Sequence, residues 1–350
     1  MAAISIIDLV MQFDGFTAVD HVSLDVGEGE FVTLLGPSGC GKTTLLNLIS
    51  GFLQPTSGRI EIGGKDVVGV PPEARDTAIC FQSYALFPHL SVQENLIFGL
   101  RQKGTPRTQR NARLEEIVGQ VDLGAHLDKL PNQLSGGQQQ RVALGRALAV
   151  RPFVILFDEP LSNLDAKLRE QVRIEIRKIQ RDFGLTAIYV THDQAEALAM
   201  SDRIFIMNNG RLEQSGAPEE IYYAPRTRFV ADFVGSANIL DAEITEELSQ
   251  GRWHVVTPIG PLEIQSKSAP RAKSLPICWR PETAIAGKEG PNALTGTITH
   301  RAFQGHFTDL IVDLGGTSQR LQVLRNAEGE GDKVDFSIMP HDLIFLEPDG

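Results

Sequence analysis

Residues 36–44 of this 350-residue chain, GPSGCGKTT, have the residue types and spacing of a phosphate-binding loop. The run matches G-x-x-x-x-G-K-[ST] at every fixed position, and its glycines let successive backbone N–H groups point at phosphate oxygens. In such a loop Lys42 would reach the β- and γ-phosphates, and the Thr43 hydroxyl would take one place on Mg²⁺. The loop predicts that the chain binds a nucleoside triphosphate.

The flanks of the loop support this prediction. Residues 31–35 are apolar or β-branched and predict a buried strand, and residues 43–49 predict a helix whose N-terminus adds to the anion site. The alternative is an ordinary glycine-rich turn before a core helix. Strand, loop and helix in this order favour the phosphate site.

Two carboxylates form a second candidate group. Residues 154–157 predict a buried strand, and Asp158 and Glu159 follow it directly. Charges at such a position destabilise the fold unless they have a partner. Asp158 suits a Mg²⁺ ligand, and Glu159 suits a base that polarises an attacking water.

Two more predicted strands end in a polar residue. Gln82 follows residues 77–81, and His192 follows residues 187–191. Ligand sites of α/β folds gather at the carboxyl ends of strands, so both side chains are candidates, although a lone histidine there is usually only a capped strand end. The Ser-Gly-Gly turn at 135–137 precedes a predicted helix and indicates a second anion site.

The remaining pattern predicts the elements that position these groups. Residues 4–30 alternate between apolar and polar and predict antiparallel strands, with Phe13 before a turn, where its ring either stacks on a base or faces the core. Residues 91–150 predict helices that begin with a capping box of Ser91 and Glu94. A further amphipathic helix follows Asp165 and ends at Gly184.

The character of the chain changes near residue 238. Strands at 203–207 and 211–214 and helices near 218–223 and 227–234 precede this point. After it come short β-like runs separated by Gly, Pro and Ser, which predict a small all-β barrel. These runs are 253–256, 277–279, 295–298, 309–314 and 334–338. We place the domain boundary between residues 236 and 237.

Composition limits the classes of function. A formal net charge of −11 disfavours a general nucleic-acid binder, because no excess of Lys and Arg is available to neutralise phosphates. No apolar run approaches the roughly 20 residues that span a bilayer, and the first residues do not resemble a secretion signal. Cys40, Cys80 and Cys278 are far apart and predict free thiols in a cytosolic protein.

Taken together, these motifs resemble an ATP-binding cassette (ABC) ATPase of the import type with a C-terminal TOBE regulatory domain. Residues 4–234 match the cassette throughout, and the region after 238 resembles the TOBE domain more weakly, at residues 280–282, 296–298 and 303–305. The implied fold is an α/β P-loop NTPase. It comprises a RecA-like core, an antiparallel β subdomain and a helical signature subdomain at about 91–150, followed by an OB-like β barrel.

The resemblance also implies a role for each matching residue. Glu159, His192 and Gln82 are implied in catalysis, Thr43, Gln82 and Asp158 as Mg²⁺ ligands, and Asp165 in the D-loop. Ser135, Gly136, Gly137 and Gln138 belong to the signature, which contacts the ATP of a partner chain. ATP contacts are implied for Phe13, Val19, Gly36, Pro37, Ser38, Gly39, Cys40, Gly41, Lys42, Thr43, Thr44 and Gln82.

ATP and Mg²⁺ are thus the expected cofactors, and the expected partners follow from the same family. Two copies would hold two ATP molecules head to tail, and membrane-spanning permease subunits would dock near residues 82–89, at the cytoplasmic face of the inner membrane. In that segment we expect Tyr84, Phe87 and His89 at the surface, around a proline. An extracytoplasmic substrate-binding protein would act indirectly, and no nucleic acid is expected. Two other classes remain open: a cassette ATPase that acts on nucleic acid or the ribosome, and a nucleotide-gated regulator that binds proteins through its tail.

The sequence contains fewer signals for the transported substrate than for ATP binding. Residues 84–89, YALFPH, resemble importers of polyamine, ferric iron or phosphonate more than sugar importers, which often have Tyr at the position of Phe87. We expect a polyamine or another small organic ion, with ferric iron, phosphonate and sugar as alternatives.

Overall fold

A computed structural model describes residues 2–162, 164–267, 269–287, 289–324 and 332–348. Contacts divide the chain into two compact units, Met1–Pro218 and Glu219–Gly350. The strands described in the first unit are β1 (Ala2–Phe13), β2 (Phe16–Gly27), β3 (Phe31–Leu35), β4 (Ser57–Ile62), β5 (Lys65–Asp66), β6 (Thr77–Cys80), β7 (Val154–Asp158), β8 (Thr186–Thr191), β9 (Arg203–Asn208) and β10 (Arg211–Gly216). Its α-helices are α1 (Lys42–Ser50), α2 (Val92–Gln102), α3 (Arg107–Gln120), α4 (Gly136–Ala149), α5 (Ala166–Phe183) and α6 (Gln194–Met200), and 3₁₀ turns lie at Pro72–Ala74, Gly124–His126 and Pro131–Gln133.

These strands form two sheets. One is antiparallel, with the order β2-β1-β4-β5, and the other has the order β10-β9-β3-β8-β7-β6. In the second sheet β9, β3, β8, β7 and β6 are parallel, and β10 returns antiparallel after the Asn209-Gly210 turn. Parallel strands end at the same edge, so the segments after β3, β6, β7 and β8 all start there.

The second sheet is buried on both faces, which explains its continuous apolar strands. Successive residues alternate between two cores: Leu156 packs toward α1 and the antiparallel sheet, and Phe157 packs toward α2–α5. In the second core Phe31, Phe157 and Tyr189 place their rings 5.8–6.5 Å apart.

The predicted helix ends are confirmed by cap geometry. Ser91 and Glu94 form the capping box of α2. Asp165 caps the N-terminus of α5, and Gly184 ends it in the left-handed conformation at φ 58°.

The second unit is all-β apart from short helices. Helix α7 (Pro218–Tyr223) starts at the boundary, α8 (Arg228–Phe233) follows, and 3₁₀ turns lie at Pro281–Thr283 and Pro340–Asp342. The described strands are β11 (Asn238–Ser249), β12 (Arg252–Thr257), β13 (Gly260–Gln265), β14 (Ser274–Trp279), β15 (Ile285–Ala286), β16 (Ala293–Phe303), β17 (Phe307–Asp313), β18 (Ser318–Leu324), β19 (Lys333–Ser337) and β20 (Ile344–Phe345). They form the sheets β13-β12-β11-β14-β20 and β15-β19-β16-β17-β18, whose apolar faces share one core, as the barrel prediction required.

The division of the structure comes earlier than the predicted boundary at 236/237. Arg280 shows why α7 and α8 pack with the second unit. The whole residue is 2% exposed, and its guanidinium donates to the carbonyl oxygens of Tyr222, Ala231 and Ser236. The contacts thus group both helices with the barrel, and the 236/237 boundary remains a prediction.

Candidate active site

The loop of residues 36–41 joins β3 to α1 and requires glycine at two places. A Cβ on Gly36 would lie 2.3 Å from the Met207 carbonyl oxygen, and Gly41 has φ 102° and would meet the Ala18 carbonyl oxygen at 2.3 Å. Either methyl group would force backbone apart. Strands β2 and β9 therefore hold the loop closely against the N-terminus of α1.

Lys42 lies folded into this loop. It is 5% exposed, and its Nζ donates to the carbonyl oxygens of Gly36 and Pro37 at 2.8 Å each. The Cys40 Sγ lies 3.8 Å from the same Nζ. Burial raises the pKa of the Cys40 thiol, so this side chain is a protonated packing group, and the loop offers a ligand its backbone and Lys42.

Thr43 and Asp158 meet across the edge of the sheet. The Thr43 Oγ1 donates to Asp158 Oδ1 at 3.3 Å, which brings together two of the predicted Mg²⁺ ligands. Partial burial raises the pKa of Asp158 and the Thr43 hydrogen bond opposes this rise. A hydroxyl beside a desolvated carboxylate is an oxygen donor set that fits a hard divalent cation.

Glu159 and His192 form the second pair. His192 Nδ1 lies 3.1 Å from Glu159 Oε2. Glu159 has φ 45°, a left-handed conformation that is strained for a residue with a side chain, and its N–H donates to the Val190 carbonyl at 3.0 Å. Because backbone strain concentrates at functional sites, this conformation supports a role for the Glu159 carboxylate.

Arg169 ties the segment after β7 to the segment after β8. Its Nη2 donates to the Leu164 carbonyl at 3.1 Å, and its Nη1 donates to Asp193 Oδ2 at 3.2 Å. Leu164 precedes the predicted D-loop residue Asp165, and Asp193 follows His192. One guanidinium thus fixes two segments that carry predicted site residues.

Glu196 is a buried carboxylate that joins strand β8 to Arg169. It is 3% exposed and accepts hydrogen bonds from the Tyr189 and Thr191 hydroxyls at 2.8 Å each. Burial and the Glu196 carboxylate raise the pKa of Tyr189, which keeps its hydroxyl a donor. Arg169 Nε lies 3.8 Å from the Glu196 carboxylate and supplies the opposite charge.

The sequence prediction missed Arg169 and Glu196. The available signal for Glu196 was an acid in the short apolar helix QAEALAM, and for Arg169 an arginine in the first turn after Asp165.

The signature residues lie at the N-terminus of α4. Ser135 caps the helix by accepting from the Gln138 N–H at 3.4 Å, and Gln138 Oε1 accepts from the Ser135 N–H at 3.0 Å. A Cβ on Gly137 would lie 3.1 Å from Leu168, so this glycine allows close packing against α5. Ser135 and Gly136 are exposed, and the helix N-terminus is open to an anion from outside this chain.

The segment after β6 partly contradicts its prediction. Gln82 and His89 are exposed, but Tyr84, which we expected on the surface, is only 8% exposed. The prediction was wrong because the chain turns inward at Tyr84 and Ala85, where φ is 60° and 44°. Phe87 is half-buried, with its ring centroid 4.2 Å from that of Phe98.

Phe13 and Val19 differ in access. Phe13 lies at the β1–β2 turn and is 41% exposed, so its ring is available to a base, whereas Val19 is fully buried in the first core. The Val19 side chain is therefore enclosed by its core neighbours and presents no accessible surface to ATP in this structure, although an ATP contact was predicted for it. The three cysteines are free, as predicted, and all three are buried.

Family profiles match two parts of the chain. The profile described as "ABC transporter" matches residues 19–162, and the one described as "TOBE domain" matches residues 277–346. The chain is 46% identical over 328 residues to the "Spermidine/putrescine import ATP-binding protein PotA" of Pseudomonas aeruginosa strain UCBPP-PA14, across 91% of this chain and 90% of the relative. It is 48% identical over 294 residues to the "Fe(3+) ions import ATP-binding protein FbpC" of Agrobacterium fabrum, across 84% and 82%.

Solved structures share the fold of the first unit. The cassette MJ0796, solved as a dimer in a post-hydrolysis state with ADP and Pi, superposes with a TM-score of 0.54 at 32% identity, over 61% of this chain and 98% of that one. The cbiO1 structure from Clostridium perfringens gives a TM-score of 0.59 at 28% identity, over 63% and 90%. These findings confirm the predicted family and fold. The chain belongs to the ABC transporter family, as an ATP-hydrolysing subunit of the import type with a C-terminal TOBE domain.

Proposed function

We propose that this chain hydrolyses ATP to power the import of a polyamine, with Glu159 as the base and His192 as its partner. The observation that carries the chemistry is the 3.1 Å pair of His192 and Glu159 beside the Thr43–Asp158 pair, at one edge of the parallel sheet. The likeness to a spermidine/putrescine import protein over nine-tenths of the chain supports the substrate class.

The chain's own residues supply the main steps. The Glu159 carboxylate accepts a proton from water that attacks the γ-phosphate, while His192 fixes the orientation of that carboxylate. Lys42 leaves the Gly36 and Pro37 carbonyls and binds the β- and γ-phosphates. Gln82 lies in the segment after β6, at the same edge of the sheet, where its amide can contact the γ-phosphate of ATP. Thr43 and Asp158 would hold Mg²⁺, with Gln82 as the further predicted ligand, and the ion would neutralise charge on the phosphate oxygens.

The signature is proposed to act on the nucleotide of a second copy. Ser135, Gly136, Gly137 and Gln138 lie at an exposed helix N-terminus, and helix N-termini bind phosphate oxygens. Asp165 caps α5 next to Leu164, in the segment where the second copy would approach. The dimeric form of the MJ0796 cassette supports this arrangement.

Permease subunits are proposed to bind near residues 82–89. No helix among the residues the structure describes is long and apolar enough to cross a membrane. We propose that the chain acts on separate membrane subunits and associates peripherally with the cytoplasmic face of the membrane, which the likeness to import ATP-binding proteins supports. His89 and the edge of Phe87 offer an aromatic contact surface, with ring centroids 6.3 Å apart.

Ferric iron is the second candidate substrate. It is favoured by the 48% identity to the Fe(3+) import protein of Agrobacterium fabrum. Both transported species are cations, and the proteins that select them lie outside this chain.

Uptake assays separate the candidates. The chain is reconstituted in vesicles with its permease subunits and binding protein, and uptake of labelled spermidine, putrescine and ferric ion is measured with ATP inside. We expect ATP-dependent uptake of a polyamine and none with Glu159→Gln. Uptake of ferric ion alone would replace the polyamine assignment, and uptake that persists in Glu159→Gln would overturn the ATPase mechanism.

A further inference from the structure

His126 contacts the signature residue Gln138 from a turn that lies earlier in the chain. It ends the 3₁₀ turn Gly124–His126, and its Nε2 lies 3.1 Å from the Nε2 of Gln138, twelve residues later. Both side chains are half-buried. The contact attaches a residue outside the signature to the N-terminus of α4, and the ATPase mechanism gives that residue no role.

A backbone group fixes the orientation of the Gln138 amide. The Ser135 N–H donates to Gln138 Oε1 at 3.0 Å. A backbone N–H can only donate, so the amide oxygen of Gln138 must face Ser135. The amide nitrogen, which carries two hydrogens and accepts none, therefore faces His126.

This orientation determines the tautomer of the imidazole ring. Because the Gln138 nitrogen donates, His126 Nε2 must accept, and an imidazole nitrogen that accepts carries no proton. The ring proton then lies on Nδ1, which is buried and has no hydrogen-bond partner in the part of the chain that the structure describes. A proton on Nε2 instead would put two donors 3.1 Å apart.

Other contacts hold the turn against α4. Arg141 lies one turn after Gln138 on the same face of the helix, and its Nη1 donates to Asp122 Oδ2 at 3.4 Å. The His126 N–H donates to the carbonyl of Leu123 at 2.9 Å, and the Leu123 side chain is fully buried in the second core. The imidazole is thus held at a fixed position relative to the signature.

We propose that His126 is a positioning residue of the signature: its Nε2 holds the Gln138 amide, and the amide holds Ser135 in the conformation that meets the ATP of a second copy. The other bond of the capping box, from the Gln138 N–H to Ser135 Oγ, is longer, at 3.4 Å. The shorter bond from the Ser135 N–H therefore constrains this residue more strongly, and it requires the amide orientation that His126 maintains. The role of His126 rests on the proposed action of the signature on a partner's nucleotide, whereas its tautomer does not.

Nitrogen NMR of the full chain with labelled histidine tests the tautomer. The spectrum of His126→Gln identifies the signals of His126 by their loss. At mildly alkaline pH we expect the Nδ1 of His126 to carry the ring proton and its Nε2 to resonate as an unprotonated acceptor. A proton on Nε2 would overturn the proposal.

Two substitutions with the same functional group test the positioning role. His126→Gln places an amide oxygen near the position of Nε2, where it can accept from Gln138. His126→Asn has the same amide on a side chain one methylene shorter, which reaches only about as far as Nδ1. We expect ATP turnover to fall by about fivefold to tenfold in His126→Asn, the factor that corresponds to one net hydrogen bond, and His126→Gln to retain most of the parental turnover.

Nucleotide binding separates this effect from a general loss of structure. ATP affinity in a nucleotide titration should stay at the parental value in both variants, because the phosphate loop belongs to the same chain and the signature acts on the other copy. Asp128→Asn is the control for the segment, since Asp128 accepts from Gln93 at 3.4 Å and not from the signature, and its turnover should be parental. Equal losses of turnover in His126→Gln and His126→Asn, or a similar loss in Asp128→Asn, would refute the positioning role.

The dimer provides a second measurement of the same role. In a Glu159→Gln background, His126→Asn should require a chain concentration several-fold higher for ATP-dependent dimerisation, and His126→Gln should not. Parental dimerisation and turnover in His126→Asn, together with lost turnover in Glu159→Gln, would refute the role of His126 alone. If Glu159→Gln itself turns over ATP or stays monomeric, the proposed function fails, and the tautomer of His126 is still determined by the NMR experiment.

Discussion

Replacing Arg169 by Ala should reduce stability and ATP turnover together, because this side chain connects two segments of the site. The change removes donors from the Leu164 carbonyl and Asp193. Among the residues that the structure describes, the buried Glu196 carboxylate then keeps the Tyr189 and Thr191 hydroxyls as its partners. Side-chain exposure is 30% for Arg169 and 4% for Glu196. The Glu196 carboxylate is thus shielded from water, whereas water near Arg169 partly screens the attraction between the two charges.

The magnitude follows from these contacts. Each of the two lost hydrogen bonds contributes about 1 kcal/mol to the unfolding free energy. This is below the usual value for bonds to charged groups, because Arg169 and Asp193 are partly exposed. The attraction between Arg169 and Glu196, whose charged groups lie 3.8 Å apart, contributes about 1 kcal/mol once screening by water is included. We expect a fall of about 3 kcal/mol in the unfolding free energy from urea titration. Turnover should fall by about 100-fold, because misplacing a reacting group by about 1 Å has this effect.

Two variants control the experiment. Lys178→Ala changes an exposed residue of the same helix and should stay within about 0.5 kcal/mol of the parent. Arg169→Lys keeps the charge but cannot span both acceptors, and it should fall between the parent and Arg169→Ala. If Arg169→Ala unfolds at the parental urea concentration and turns over ATP at the parental rate, this connection does not position the site.

Three further outcomes are expected. Arg280→Met removes the side-chain donors of three carbonyl groups, one buried and two half-buried, and should lower the unfolding free energy of the second unit by about 4 kcal/mol in urea titration. Phe87→Ala with His89→Ala should weaken binding of permease subunits in a pull-down by a few kcal/mol at most, with ATP affinity nearly unchanged in a nucleotide titration, and normal transport would move the docking surface elsewhere. Burial raises the pKa of Cys80 and Cys278 from 9.0 to about 12, so above pH 9 the unfolded chain loses thiol protons that the native chain keeps. The unfolding free energy should therefore fall from pH 9 toward 12, and Cys278→Ala should reduce that slope; an unchanged slope would contradict the assigned burial.

Local motifs account for what the sequence could predict. The phosphate loop, the carboxylates that follow β7 and the caps of α2 and α5 each depend on residues close together in the chain, and the structure has them as expected. Parallel strand order then brings Thr43 to Asp158 and Glu159 to His192.

Contacts between distant segments account for what could not be predicted. Arg146 donates to the carbonyl oxygen of Ala85, which lies 61 residues earlier in the chain. This contact lies at the turn where Tyr84 points inward. The exposed residues and the proline near Tyr84 in the sequence had indicated a surface position. Arg280 draws α7 and α8 to the barrel over a separation of 58 residues to Tyr222. Periodicity and propensity contain no information about such pairs, since each depends on the assembled tertiary structure.

The central claim is that Glu159 acts as the base for ATP hydrolysis between two copies of this chain. The most direct measurement is phosphate release by the parent and by Glu159→Gln, with the molecular mass of each determined with and without ATP. We expect the variant to bind ATP with parental affinity, to lose at least about 100-fold in turnover and to remain a dimer while ATP is present. Parental turnover in Glu159→Gln, or a variant that stays monomeric with ATP bound, would contradict the account.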